Sequence, residues 1–95
     1  MPKVYSVTMY RTTPDPVQSA AYRALALPAL AAHGGRIIAR GAPVRAYEAG
    51  LQKNCVIIEW DSVEQFTTFY ESVAYQTALA ELRGVERDVR VVEGV

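Results

Sequence analysis

Cysteine is nearly absent: Cys55 is the only one in 95 residues, which rules out an intrachain disulfide framework. An excess of either charge is absent as well. Ten Lys and Arg offset ten Asp and Glu, and no run of like charge exceeds two, which argues against counterion-driven binding to nucleic acid or anionic lipid. No apolar stretch approaches the roughly 20 residues needed to cross a bilayer, since the Ala-rich stretch from Ala24 to Ala32 is short and holds Pro28. There is no low-complexity tract and no Pro/Gly/Ser linker, so residues 1–95 read as a single domain. One His, one Cys and three scattered Asp give no metal-ligand cluster at characteristic spacing. Neither a Ser-His-Asp order nor a Walker-type loop occurs. Met1-Pro2-Lys3 runs directly into strand-like sequence without an apolar signal segment, so a reducing cytoplasm is the expected home.

What is present is alternation and capping. Lys3 to Thr12 sets Tyr5, Val7 and Met9 against Ser6, Thr8 and Tyr10, which predicts a strand. Asp15 as N-cap, Pro16 in the first helical position and Gln18 in the capping-box position predict a helix start. Val17, Ala20, Ala21, Ala24, Leu27 and Ala31 recur at helical spacing as its inward stripe, Pro28 should kink it, and Gly34-Gly35 should stop it. Arg36 to Val44 reads as a strand placed at an edge by Pro43, which lacks a ladder donor. Tyr47 to Lys53 reads as a loop, and Asn54 to Trp60, almost wholly apolar, as a central strand. Asp61-Ser62 with Gln65 caps a second helix whose Phe66, Phe69, Tyr70 and Val73 face inward; a break near Ser72 leads to Tyr75, Leu79 and Leu82. Val89, Val91 and Val92 mark a last strand.

The order is β-α-β-β-α-β, the ferredoxin-like split: an α+β fold with a four-stranded antiparallel sheet, both helices on one face, and the second and fourth strands at the edges. The central strand is apolar on both parities, Cys55 and Ile57 on one side and Val56, Ile58 and Trp60 on the other. One helix layer covers one side only. Ile38, Cys55 and Ile57 would remain in water, an apolar patch of the kind that marks an interface. The expected partner is a second copy of the chain, joined sheet to sheet.

The sequence also resembles the domain of unknown function 1330 family, within the dimeric α+β barrel superfamily. The resemblance rests on Asp15-Pro16, Tyr22, Gly34-Gly35-Arg36, Arg40-Gly41, Glu48, Ile57-Ile58-Glu59, Ser62, Tyr70-Glu71-Ser72, Tyr75-Gln76 and Val92-Glu93-Gly94-Val95. It departs from the pattern at Trp60-Asp61, Ser72-Val73 and Phe69. The resemblance implies a dimer of ferredoxin-like units but carries no established reaction. Similar folds in the superfamily serve as cofactor-free monooxygenases, lactone isomerases, haem enzymes and haem-degrading enzymes, and fold alone does not choose among them.

Among candidate functional residues, Glu59 shares strand parity with Cys55 and Ile57, so it points at the uncovered face, where a partner would enclose it. Desolvation there would raise its pKa toward the range useful for an acid or base. It could equally form an ion pair with Arg40 or Arg36. Arg40 is the candidate anion-stabilising group. His33, in the last turn of the first helix, is a secondary acid/base candidate or a haem ligand, or else a C-terminal cap. Tyr10, Tyr22, Tyr70, Tyr75 and Arg36 are the expected ligand contacts, tyrosine joining an apolar body to a polar tip. Cys55 reads as a small hydrophobe. The function expected is a cytoplasmic homodimer binding a small organic molecule between sheet and helices, with cofactor-independent acid/base chemistry and neither nucleic acid nor membrane as partner. The rival is a non-catalytic dimerisation or ligand-sensing module; a third reading is a haem protein.

Overall fold

In the computed structural model, which describes residues 2–95, the chain forms β1 (Val4–Tyr10), α1 (Pro16–Ala32), β2 (Arg36–Gly41), β3 (Cys55–Trp60), α2 (Val63–Tyr70), α3 (Val73–Leu79), a 3-10 turn (Ala80–Leu82) and β4 (Arg87–Glu93). The four strands form one antiparallel sheet in the order β2-β3-β1-β4. This is the ferredoxin-like arrangement, with β2 and β4 at the edges. The second helical segment is two helices, because Ser72 ends α2 and caps α3: its hydroxyl donates to the Phe69 carbonyl and accepts from the Tyr75 amide.

The helix ends follow from their caps. The Asp15 carboxylate accepts the Gln18 amide at 2.8 Å, and the Ser62 hydroxyl accepts the Gln65 amide at 3.0 Å, each satisfying a first-turn donor that has no helical partner. The Gln18 side chain does not reach back to Asp15 but donates to the Arg83 carbonyl at 2.9 Å, tying α1 to the segment that precedes β4. At its C-terminus α1 closes in a Schellman turn: the Gly34 amide donates to Ala31 and the Gly35 amide to Leu30, with Gly34 at φ 77°. Gly35 is required by space, since a Cβ there would lie 2.5 Å from Leu30 and 2.7 Å from the Trp60 ring.

The core joins Val4, Ala26, Ala29, Leu30, Trp60 and Phe69 with Tyr75 and Ala78. Trp60 is fully buried, and its indole N–H donates to the Ser6 hydroxyl at 3.0 Å, so both buried polar groups are satisfied. Three expectations need correction. Of Val17, Ala20, Ala21, Ala24, Leu27 and Ala31, expected as the inward stripe of α1, all but the half-buried Ala21 are exposed; the helix buries Ala26, Ala29 and Leu30. An alanine-rich helix has little contrast between its faces, so spacing identifies the helix without fixing its rotation. Val73, expected to face inward, is 84 % exposed. β2 is an edge strand, but it stops at Gly41, before Pro43.

A bulge in β2 matters most for the site. Arg36 pairs with Glu59 and Ile37 with Ile58, but then Ala39 pairs with Ile57 and Arg40 with Val56, leaving Ile38 as the extra residue. One extra residue reverses the alternation beyond it. Arg40 is thereby moved to the parity of Ile58 and Val56, the helix-covered face.

Candidate active site: a cavity between sheet and helices

Strand parity divides the candidate residues between two places. On the covered face, Ser6, Thr8 and Tyr10 of β1 stand beside Val56 and Ile58 of β3 and opposite α1. Ser6 and Thr8 are small, and the helix layer does not fill the space above them. The result is a cavity of about 160 Å³, closed on the helix side by Tyr22, Ala26 and Leu30 and by the aromatic groups of α2 and α3. Tyr75 anchors that aromatic wall, with ring centroids 4.4 Å from Phe69 and 5.3 Å from Tyr70.

The polar groups of the cavity form one connected cluster. The Tyr22 and Tyr75 hydroxyls are 2.7 Å apart. Arg87 donates from Nη2 to the Tyr75 hydroxyl at 3.1 Å, and its guanidinium lies over the rings of Tyr10 and Tyr22 at 5.5 and 5.6 Å from their centroids. Burial, and then the neighbouring Tyr75, push the Tyr22 hydroxyl well above the ordinary phenol range, so it stays protonated at neutral pH. Burial works against the Arg87 cation, but Tyr75 and Tyr22 outweigh it and the net direction is upward. Both groups therefore act as hydrogen-bond donors at neutral pH, and neither serves as a base there. Arg40, Arg23 and Asn54 also line the cavity. No carboxylate and no imidazole does.

Of the expected contacts, the structure brings together Tyr10, Tyr22, Tyr70, Tyr75 and Arg40 in this cavity. Glu59 and Arg36 lie elsewhere. Glu59 pairs with Tyr5 across β1 and with Arg36 across β2, on the open face of the sheet, so Glu59 and Arg40 do not share a site. Arg36 donates from Nε and Nη2 to Glu59 Oε1 at 3.0 and 2.7 Å, and the Tyr5 hydroxyl donates to Oε2 at 3.1 Å. The Arg36 guanidinium holds the Glu59 carboxyl below the usual carboxylate range; burial opposes this less strongly, and Tyr5 adds to it. The expected upward shift is thus reversed, because desolvation is outweighed by charge-assisted hydrogen bonds.

His33 caps α1. Its Nδ1 is 2.8 Å from the Ala29 carbonyl, its own carbonyl accepts from Gln65 Nε2 at 2.9 Å, and its ring meets Phe69 edge-on at 5.9 Å. It is not part of the cavity lining. Arg87, Asn54 and Arg23 are among the cavity groups missing from the sequence reading. For Arg87 and Asn54 the signal was parity: Arg87 shares a face with Val89 and Val91, and Asn54 with Val56 and Ile58, so each is a polar group at the end of an inward-facing row.

Comparison with known proteins adds the family context. The family model described as "Domain of unknown function (DUF1330)" matches residues 3–95. No curated protein matches the sequence. Among solved structures, a protein of unknown function from Rhodopseudomonas palustris is similar with a TM-score of 0.76 at 15% identity, over 99% of this chain and 83% of that one. SnoaB, a cofactor-independent oxygenase from Streptomyces nogalater, is similar with a TM-score of 0.66 at 14% identity, over 97% and 92%. A dimeric protein of unknown function with a ferredoxin-like fold from Bacteroides fragilis NCTC 9343 has a TM-score of 0.57 at 11% identity, over 96% and 95%. At such identities the likeness is one of fold.

Proposed function

The chain belongs to the DUF1330 family of domains of unknown function, and from that premise we propose that it is a small-molecule-binding protein whose ligand occupies the cavity between sheet and helices. One observation carries this reading: apolar walls and a few convergent polar tips, Arg87, Tyr22 and Tyr75 foremost, surround unfilled space inside the fold. The lining contains neither a carboxylate nor an imidazole, so the chemistry it offers is orientation, hydrogen-bond donation and stabilisation of negative charge.

Self-association belongs to the same proposal. Met9, Ile38 and Val92 on the open face are 40, 54 and 51 % exposed. The chain exposes 6292 Å² where size scaling expects roughly 5,400 Å². A second copy, packed sheet to sheet, would cover that excess, and the Bacteroides fragilis neighbour is a dimer. Glu59, Arg36 and Tyr5 then take the role of a hydrogen-bonded interface network, the one observation that favours the rival reading of a non-catalytic module. Among the described residues no helix is long and apolar enough to cross a membrane.

The test is a ligand screen read by the NMR signals of the cavity residues, on wild type and on Tyr22→Phe/Tyr75→Phe. Binding that shifts Thr8, Tyr22 and Tyr75 and weakens in the double variant supports the proposal. Binding confined to the open face, with dimer mass changing, supports the non-catalytic module.

A further inference from the structure

Arg87 is half-buried inside the fold, yet it takes part in none of the ion pairs among the described residues; every one of those joins Lys3, Arg11, Arg36 or Arg90 to an acid. Its one protein hydrogen bond, from Nη2 to Tyr75, leaves Nε and Nη1 unclaimed. Those nitrogens are not sealed off, because no fully buried side-chain nitrogen or oxygen lacks a partner among the described residues. Arg87 itself lines the cavity.

The surroundings share this imbalance. The chain as a whole is neutral, but three of its ten basic residues, Arg23, Arg40 and Arg87, line the cavity and none of its ten acids does. Arg40 and Arg87 hang from opposite edge strands, so positive charge flanks the space from both sides of the sheet. A guanidinium removed from water without an anion beside it is costly, and a planar fork with free N–H groups matches the two oxygens of a carboxylate. The rest of the lining is neutral, mostly apolar or aromatic with Ser6, Thr8, Thr13, Ser19 and Asn54 among it, and about 160 Å³ is close to the roughly 150 Å³ cavity that holds a benzene ring.

Resting on the reading of this cavity as a ligand site, we infer that its ligand is a small monocarboxylate with an apolar body about one ring in size, its carboxylate seated on Arg87 and its ring against Tyr22, Tyr70 and Tyr75. The Tyr75 hydroxyl fixes the plane of the guanidinium, and the rings of Tyr10 and Tyr22 hold it in place, so the anion meets a preorganised fork. Arg40, exposed at the opposite edge, raises the local positive potential and speeds capture.

The probes are benzoate, its neutral isostere benzamide, and phenyl phosphate, titrated against the full-length protein with NMR readout of Arg87 Nε–H, Tyr22 and Tyr75. Benzoate should shift all three and bind at least about tenfold tighter than benzamide, the order expected of a charge-assisted hydrogen bond. Arg87→Met should erase that preference, and Arg87→Lys, which keeps the charge but loses the fork, should retain part of it. Benzamide binding in the cavity as tightly as benzoate would overturn the carboxylate inference and leave the cavity reading standing. Phenyl phosphate displacing benzoate at lower concentration would overturn it too, assigning the site to phosphoryl groups. If no probe at millimolar concentration moves the cavity signals of the folded protein, the cavity reading fails and this inference with it. The wild-type comparison of benzoate with benzamide decides the matter even if Arg87→Met does not fold.

Discussion

On its helix-covered side, β1 presents Val4, Ser6 and Thr8, all buried; on its other side the same strand presents Tyr5, Val7 and Met9, with Met9 40 % exposed. The residue types run opposite to the exposure. Beyond Val4, the buried side holds the small polar Ser6 and Thr8 and borders unfilled space, whereas the open side carries the larger Tyr5, Val7 and Met9 with no helix over them. In a chain whose single purpose was to fold, the two sets would be exchanged. On the proposed reading one sheet has two jobs: the covered side trades packing for a cavity, and the open side keeps apolar surface for a second subunit.

The largest expected effect lies on the covered side. Trp60→Ala removes a fully buried indole that packs on Phe66 and Phe69 and donates to Ser6. It should cost about 3–5 kcal/mol in chemical denaturation. A cost under about 1 kcal/mol would mean that Trp60 is not the hub of this face.

Ile57→Arg sharpens the contrast, because Ile57 lies on the open side of the same strand. A buried unpaired charge at an interface should weaken association by about 100-fold or more. Native mass spectrometry should then find the variant at the mass of one chain, with an unchanged far-UV circular dichroism spectrum. Unfolding of the variant would instead make this a core position.

Tyr75→Phe leaves Tyr22 and Arg87 without their shared partner while keeping the ring. The expected loss is about 1–2 kcal/mol, read by thermal denaturation, with subunit mass unaffected. A change of mass would couple the two sides and break the comparison.

The smallest effect is that of Glu59→Gln, and it depends on pH. The folded-state pKa of Glu59 is lowered, first by Arg36. A depressed carboxyl contributes stability above its unfolded pKa, about 4.3, and that contribution is lost as pH falls through the folded value. The melting temperature of the variant should lie below that of wild type at pH 7, and the gap should shrink below about pH 4. A gap that widens toward acid pH would mean that Glu59 carries a raised pKa, as a half-buried base would.

The strand order was legible because each element carried its own punctuation: Asp15-Pro16, Gly34-Gly35, Ser62 and Ser72 mark ends by local hydrogen bonding. The parity of Glu59 with Cys55 and Ile57 was equally local, since β3 is regular. Arg40 was misplaced because the β2 bulge at Ile38 depends on pairing across strands, and nothing in the stretch from Arg36 to Gly41 announces an extra residue. The rotation of α1 was hidden for a related reason, alanine being indifferent to which side faces the sheet. Arg87 stayed unnoticed within a strand identified by its valines, although a cation in the row of Val89 and Val91 is the kind of exception a functional position produces.

The division of labour between the two sides is tested most directly by sedimentation equilibrium of the wild-type chain at micromolar concentration. The account predicts a species of twice the 10.5 kDa chain mass, because the apolar open side must be covered. A single species of 10.5 kDa under those conditions would contradict it.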